Sequence, residues 1–261
     1  MTPKQAPSRP GSATRSSRAA RPGSWDPRPP RLASDALPAA TEPLSVLAER
    51  GAVADVRLEG VQVPPGPDEP LELAGCVLSR VRMVGAEVDD WRLRDMAATD
   101  CDLAGLVGSG LVLDAATFRG GRLTGCVWVG GTIGDVRMDD VTAGDFALRS
   151  ARLRRVVFSG CSLPALDLTE AELDHVTFRN CDLSGATFAK AKVRALRVIG
   201  CELAGVRGVG GLAGAYVDAA SLPALAPAMA AELGLRAGAA RDLEALADNQ
   251  PGRPAGAGDR P

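Results

Sequence analysis

The sequence predicts an all-β solenoid, a chain that coils repeatedly around a narrow dry interior. Three observations point to it. Apolar residues recur every five positions through residues 71–210 without a phase break. None of the 35 charged side chains in that stretch falls at the first or third place of a five-residue block. All six cysteines (76, 101, 126, 161, 181 and 201) share the first place of their blocks. A period of five fits neither the 3.6 of a helix nor the 2.0 of an unbroken strand. It fits a short extended side followed by a corner: places one and three are two residues apart and point inward, place two points out, and places four and five turn the chain. Gly, Ala, Ser and Asp are frequent at those last two places and suit turns. Successive turns of such a chain pair their backbones at about 4.8 Å.

Composition narrows the function classes. The chain has 261 residues, 46% apolar and 24% charged, with a net charge of −2. Three Trp, one Tyr and five Phe are too few for a core built on aromatic anchors. A single histidine argues against a His-based metal cluster or a His-driven triad within one chain. No apolar run is long enough for a transmembrane helix. Residues 1–44 carry Lys4, Arg9, Arg15, Arg18, Arg21, Arg28 and Arg31 against Asp26, Asp35 and Glu42, set among Pro, Ser, Ala and Gly. That composition predicts a disordered basic arm, because it buries too little apolar area to offset chain entropy. No apolar run follows the early basic residues, so a secretory signal is not expected and the chain reads as cytoplasmic, with reduced thiols. Residues 249–261 read as a second disordered tail.

The middle of the chain divides into blocks such as Cys-Asp-Leu-Ala-Gly (101–105), Cys-Ser-Leu-Pro-Ala (161–165), Cys-Asp-Leu-Ser-Gly (181–185) and Cys-Glu-Leu-Ala-Gly (201–205). The third place runs Leu73, Leu78, Met83, Val88, Leu93 and onward to Leu203; only Ala98, Gly108, Ala143 and Gly208 lack a large apolar side chain. These blocks resemble the pentapeptide repeat family. The resemblance implies a right-handed quadrilateral β-helix of about seven to eight coils, with four sides and about 20 residues per coil. Residues 51–63 match the register more weakly, and the Pro-rich piece 64–70 is expected to loop out. Few second places are Asp or Asn, and Gly108, Gly121 and Gly131 are expected to thin the interior.

If four sides close a coil, residues 20 apart stack. Phe118, Met138, Phe158 and Phe178 then form one interior column, and Leu103, Leu123, Ala143, Leu163, Leu183 and Leu203 another; these are the expected structural core. Cys161, Cys181 and Cys201 stack as structural fillers. Outside, Arg152, Glu172 and Lys192 form one alternating charge column, and Arg154, Asp174 and Arg194 the next. Val107, Val127 and Ala147 make a small apolar outer column. His175, at a corner, is expected to face solvent.

The raw ends of a solenoid need covers. A short helix over 43–50 is expected before the repeats, within a β-helix unit of 45–213. A cap over 214–248 follows: Ser221 as N-cap, Pro223 in the first turn, and Leu222, Leu225, Met229 and Leu233 on one apolar face ended by Gly234. Pro227 should kink that helix, and a second helix is expected over 239–248. Related C-terminal helices join two solenoids in some members of the family, so the resemblance implies Leu222, Leu225, Met229 and Leu233 as a dimer or cap interface and a homodimer as a partner.

No catalytic, cofactor-binding or metal residues are assigned. The segment 208–213 satisfies G-x-G-x-x-[G/A], but closes a run of fives where a dinucleotide site needs a βαβ unit. No phosphate-binding P-loop occurs, and every acidic residue of the repeats is expected outside, away from any pocket that would tune it for acid–base work. The expected function is a non-catalytic scaffold for an unidentified protein partner. The resemblance also implies a DNA-mimic modulator of DNA gyrase as an alternative, and the basic arm suggests nucleic-acid binding as another. Residues 51–210 carry 22 acidic and 18 basic side chains, a weak balance for mimicry of a polyanion.

Overall fold

The computed structural model describes residues 25–33, 37–40, 51–63 and 70–235. The expected helices over 43–50 and 239–248, residues 64–69 of the expected loop over 64–70 and the tail over 249–261 lie outside those residues.

The repeats form a parallel β-solenoid of about eight turns. The strands are β1 (Ala52–Ala54), β2 (Arg57–Glu59), β3 (Glu72–Ala74), β4 (Val77–Ser79), β5 (Arg92–Thr99), β6 (Val107–Ser109), β7 (Val112–Arg119), β8 (Val127–Val129), β9 (Thr132–Asp139), β10 (Arg152–Ser159), β11 (Glu172–Arg179), β12 (Lys192–Ile199) and β13 (Tyr216–Val217). The main sheet runs β1-β3-β5-β7-β9-β10-β11-β12-β13, in parallel pairings. Partners sit 20 residues apart: Phe118 faces Met138, Met138 faces Phe158 and Phe158 faces Phe178. The other two sides pair mostly through single bridges, Asp102 to Arg122 to Thr142 to Ser162 to Asp182 to Glu202 along one and Val127 to Ala147 to Asp167 to Thr187 to Arg207 along the other, where β6 and β8 add a short ladder.

Four corners per coil follow from the backbone. Every fifth residue from Gly75 to Gly205 has positive φ, with the single exception of Ala195. Asp, Asn and Gly hold many of these places because they tolerate the left-handed region best. Some corners also interlock. A Cβ built on Gly160 would lie 2.4 Å from Asp140 Oδ1, one coil earlier, so the aspartate side chain lies over a corner that only glycine leaves open. At Ala195 the regular turn fails: a bulge in β12 pairs Asp174 with Ala195. The expected column Arg154–Asp174–Arg194 is therefore broken at its last member.

The interior is one continuous apolar cluster. Leu103, Phe118, Leu123, Phe158, Leu163, Phe178, Leu183 and Leu203 are all buried. Phe158 and Phe178 stack with ring centroids 4.9 Å apart and planes 13° apart. The expected thinning at Gly108 is answered by its neighbour in the next coil: Trp128 pairs with Gly108 and meets Phe146 edge-on at 4.9 Å. A void of about 40 Å³ remains among Leu93, Met96, Phe118 and Trp128. The thiols serve the corners. Cys101, Cys181 and Cys201 each donate to the carbonyl two residues before them, at 3.5, 3.3 and 3.5 Å. Burial pushes the Cys126 thiol up to about 11, which favours its protonated form.

The C-terminal cap differs from the expected single helix. A 3-10 turn, Leu222–Leu225, leads into helix α1, Ala226–Glu232. Pro227 falls in the first turn of α1, where its missing N–H costs nothing, so it starts a helix and kinks none. Ser221 makes no side-chain cap; its hydroxyl donates to the carbonyl of Cys201 at 3.1 Å, tying the cap to the last coil. Residues 208–213 form a 3-10 turn, Val209–Leu212, that closes the solenoid.

Candidate interaction surface

A solenoid side offers chemistry only through its outward places, so the burial of those places is informative. Within 71–210 just five outward side chains are buried: Ala115, Asp135, Ala147, Val157 and Thr177. Ala115 and Asp135 lie at the corner between the two sides of the long strands, and Val157 and Thr177 on the side that follows it. What covers them is the N-terminal arm. The expectation of a disordered arm through residue 44 does not hold for residues 25–33, which run along this corner, or for 37–40, which pair with β2. The physical reason is a set of polar and aromatic contacts that composition alone does not weigh.

Those contacts are specific. Trp25 lies under the Arg197 guanidinium, 3.7 Å from its ring centroid, and meets His175 edge-on at 5.1 Å. His175 is thus a partner of the arm, contrary to its expected solvent-facing role; its Nδ1 is 2.7 Å from Asp174 Oδ1. Arg28 donates its backbone N–H to Asp135 Oδ1 at 2.9 Å and its Nη2 to Asp114 Oδ2 at 2.7 Å. Arg31 donates its backbone N–H to Asp95 Oδ1 at 2.7 Å. Further on, Ala40 and Arg57 N–H groups bond to the carbonyls of Arg57 and Pro38, each at 2.9 Å, which adds an edge to β2.

Asp135 is the most buried acid of this stripe, 2% exposed. Arg155 grips it with two hydrogen bonds of 2.6 Å. Burial by itself would push the carboxyl up, yet the Arg155 fork, the Arg28 amide and the two positive charges outweigh it and hold Asp135 below the usual carboxylate range.

The side before this corner carries a ladder of opposite charge. Glu172 Oε2 is 3.5 Å from Arg152 Nε, and Glu172 Oε1 is 3.4 Å from Lys192 Nζ. Exposed pairs of this kind contribute about 0–1 kcal/mol each. At the C-terminal end, a groove of about 370 Å³ is bordered by Val209, Leu212, Leu222, Leu225, Met229 and Leu233. Leu225 is buried there, whereas Leu222, Met229 and Leu233 are exposed. Among the described residues no cluster of His, Cys, Asp and Glu could hold a metal ion, and no helix is long and apolar enough to cross a membrane.

Sequence reasoning missed Trp25, Arg28 and Arg31 as parts of a surface. Their signal was present as the spacing of Trp25, Arg28 and Arg31 in Trp-Asp-Pro-Arg-Pro-Pro-Arg, with Ala115 and Val157 as uncharged outward places.

Comparison with known proteins gives the following. Residues 143–207 match the model of a pentapeptide repeat region. No curated protein matches the chain. Among solved structures, full-length QnrB1, a plasmid-mediated fluoroquinolone resistance protein, is 15% identical, with a TM-score of 0.29, over 68% of this chain and 98% of that one. HetL, a pentapeptide repeat protein involved in heterocyst differentiation regulation from the cyanobacterium Nostoc, is 16% identical, with a TM-score of 0.24, over 59% of this chain and 84% of that one. With the five-residue register unbroken across 71–210, left-handed corners at nearly every fifth residue and the repeat model matched at 143–207, the chain carries a pentapeptide repeat region.

Proposed function

We propose that this protein is a non-catalytic scaffold whose outer faces bind another protein. The observation that carries this reading is the arrangement of its polar groups. The described acids and bases of the repeats stand at outward places, on the sides and corners of the coil, and the interior void is lined by apolar side chains. Acid–base or nucleophilic chemistry needs convergent groups in a sheltered cleft; binding needs a rigid, addressed surface. The groove at the C-terminal end, with Leu222, Met229 and Leu233 exposed beside buried Leu225, is the apolar part of that surface and supports self-association through the cap.

A DNA mimic would need clustered negative potential. Here the ladders alternate in sign, and Asp114 and Asp135 are already paired with Arg28. That same pairing commits one of the arm's basic residues inside the molecule and weakens the reading of the arm as a nucleic-acid binder.

The test is affinity capture with the full chain together with light scattering. The scaffold reading expects a partner retained in fixed stoichiometry, or a dimer, that is weakened in Leu222→Asp/Leu233→Asp. A monomer that captures nothing on either form sinks it.

A further inference from the structure

The arm and the solenoid are commensurate. Trp25 meets His175, the Arg28 amide meets Asp135, and the Arg31 amide meets Asp95. Each step of three residues along the arm matches a step of 40 residues, two coils, along the corner column. The reason is geometric. A polyproline II chain rises about 3.1 Å per residue with three residues per turn, so about 9.3 Å brings the next residue to the same face. Two coils at about 4.8 Å span about 9.6 Å. Proline at 27, 29 and 30 favours that extended form and removes three backbone donors. The N–H groups left between 27 and 31 belong to Arg28 and Arg31, and both are taken by corner aspartates.

We propose that the corner stripe through Asp95, Asp135 and His175 is a recognition face for extended proline-rich segments with an arginine every third residue and an aromatic three places before, and that residues 25–31 occupy it in cis. The partner it fits is such a segment of another protein, which must displace the arm to bind. Three features make the stripe selective. The corner carboxylates accept from the amides that a proline-rich chain still has; the guanidinium of Arg28 reaches Asp114; and Arg197 and His175 hold an indole. Ala115, fully buried beneath the arm, keeps the intervening corner low so that the chain can pass. This inference deepens the scaffold reading by naming a class of partner for one face.

The experiment uses the full chain and a fluorescein-labelled peptide of residues 23–33, with fluorescence anisotropy as the readout. In one variant, Trp25→Ala, Arg28→Pro and Arg31→Pro together remove the arm's ring, guanidinium groups and two amide donors while keeping it extended, which vacates the stripe. The peptide should bind that variant at least tenfold more tightly than the wild-type chain, where the arm competes. Adding Asp95→Asn should weaken binding severalfold; Asn accepts the left-handed corner of this residue, and Asp95 lacks the Arg155 clasp that complicates Asp135. A peptide of the same composition with its two arginines adjacent should bind poorly. No binding to the vacated variant, equal binding to both forms, indifference to Asp95→Asn, or equal binding of the rearranged peptide overturns the proposal. Such a failure is separable from failure of the scaffold reading, which is read from partner capture and association through the C-terminal groove.

Discussion

Truncation of Phe158 to alanine tests the inside–outside register where it should matter most. Phe158 is fully buried, stacked on Phe178 at 4.9 Å, and backed by Met138 in the preceding coil. Burying an aromatic ring and then deleting it typically costs about 3–5 kcal/mol, including the cavity left behind. Relaxation is limited here, because Phe158 belongs to β10, whose hydrogen bonds to β9 and β11 fix the spacing of the coils; about 4 kcal/mol is the working value. With a urea slope of about 3 kcal/mol/M, the unfolding midpoint should fall by about 1.3 M. Arg152→Ala is the control. Its side chain is 69% exposed and 3.5 Å from Glu172, so the loss should be about 0–1 kcal/mol, a shift of at most about 0.3 M. Urea melts followed by far-UV circular dichroism compare the two. If Arg152→Ala proves the more damaging, or Phe158→Ala moves the midpoint by less than about 0.5 M, the assignment of places one and three to the interior is wrong.

Two further predictions concern the corners. Gly160→Ala puts a Cβ about 2.4 Å from Asp140 Oδ1 at a φ of +63°, so it should destabilise by more than the roughly 1–2 kcal/mol of left-handed strain alone; pairing it with Asp140→Gly should recover the steric part, visible as a coupling above about 0.5 kcal/mol in a double-mutant cycle. Docking of the arm should depend on pH in the acid range. Asp135 sits below its usual value of 3.8 because Arg155 and Arg28 face it, with Asp114 sharing Arg28. A depressed carboxylate contributes fully above its unfolded value and loses that contribution as pH falls through the folded one. Protection of the Arg28 amide in hydrogen exchange, corrected for intrinsic rates, should therefore hold above about pH 4 and decline below it; release already at pH 6 would contradict the assignment.

The sequence by itself determined the coil. Its information is local and repeated: a residue at place one or three buries itself against the residue 20 positions on, whatever the rest of the chain does, so Leu103, Phe158 and Leu183 could be placed by counting. The excluded charges at those places carried the same information independently. The capping segment was legible in outline, since the spacing of Leu222, Leu225, Met229 and Leu233 and the early prolines mark a helical start, but not in detail. Ser221 bonds to the last coil and not to its own helix, a choice made by which carbonyl happened to be near.

Only the tertiary structure decided what the arm does. Arg28 and Asp135 are 107 residues apart in the chain, and nothing periodic links them. A proline-rich, basic segment looks solvated until the corner aspartates are seen standing in a column with twice the coil spacing, which equals one turn of an extended proline chain. That match is a property of two lengths in space, and a one-dimensional string records neither.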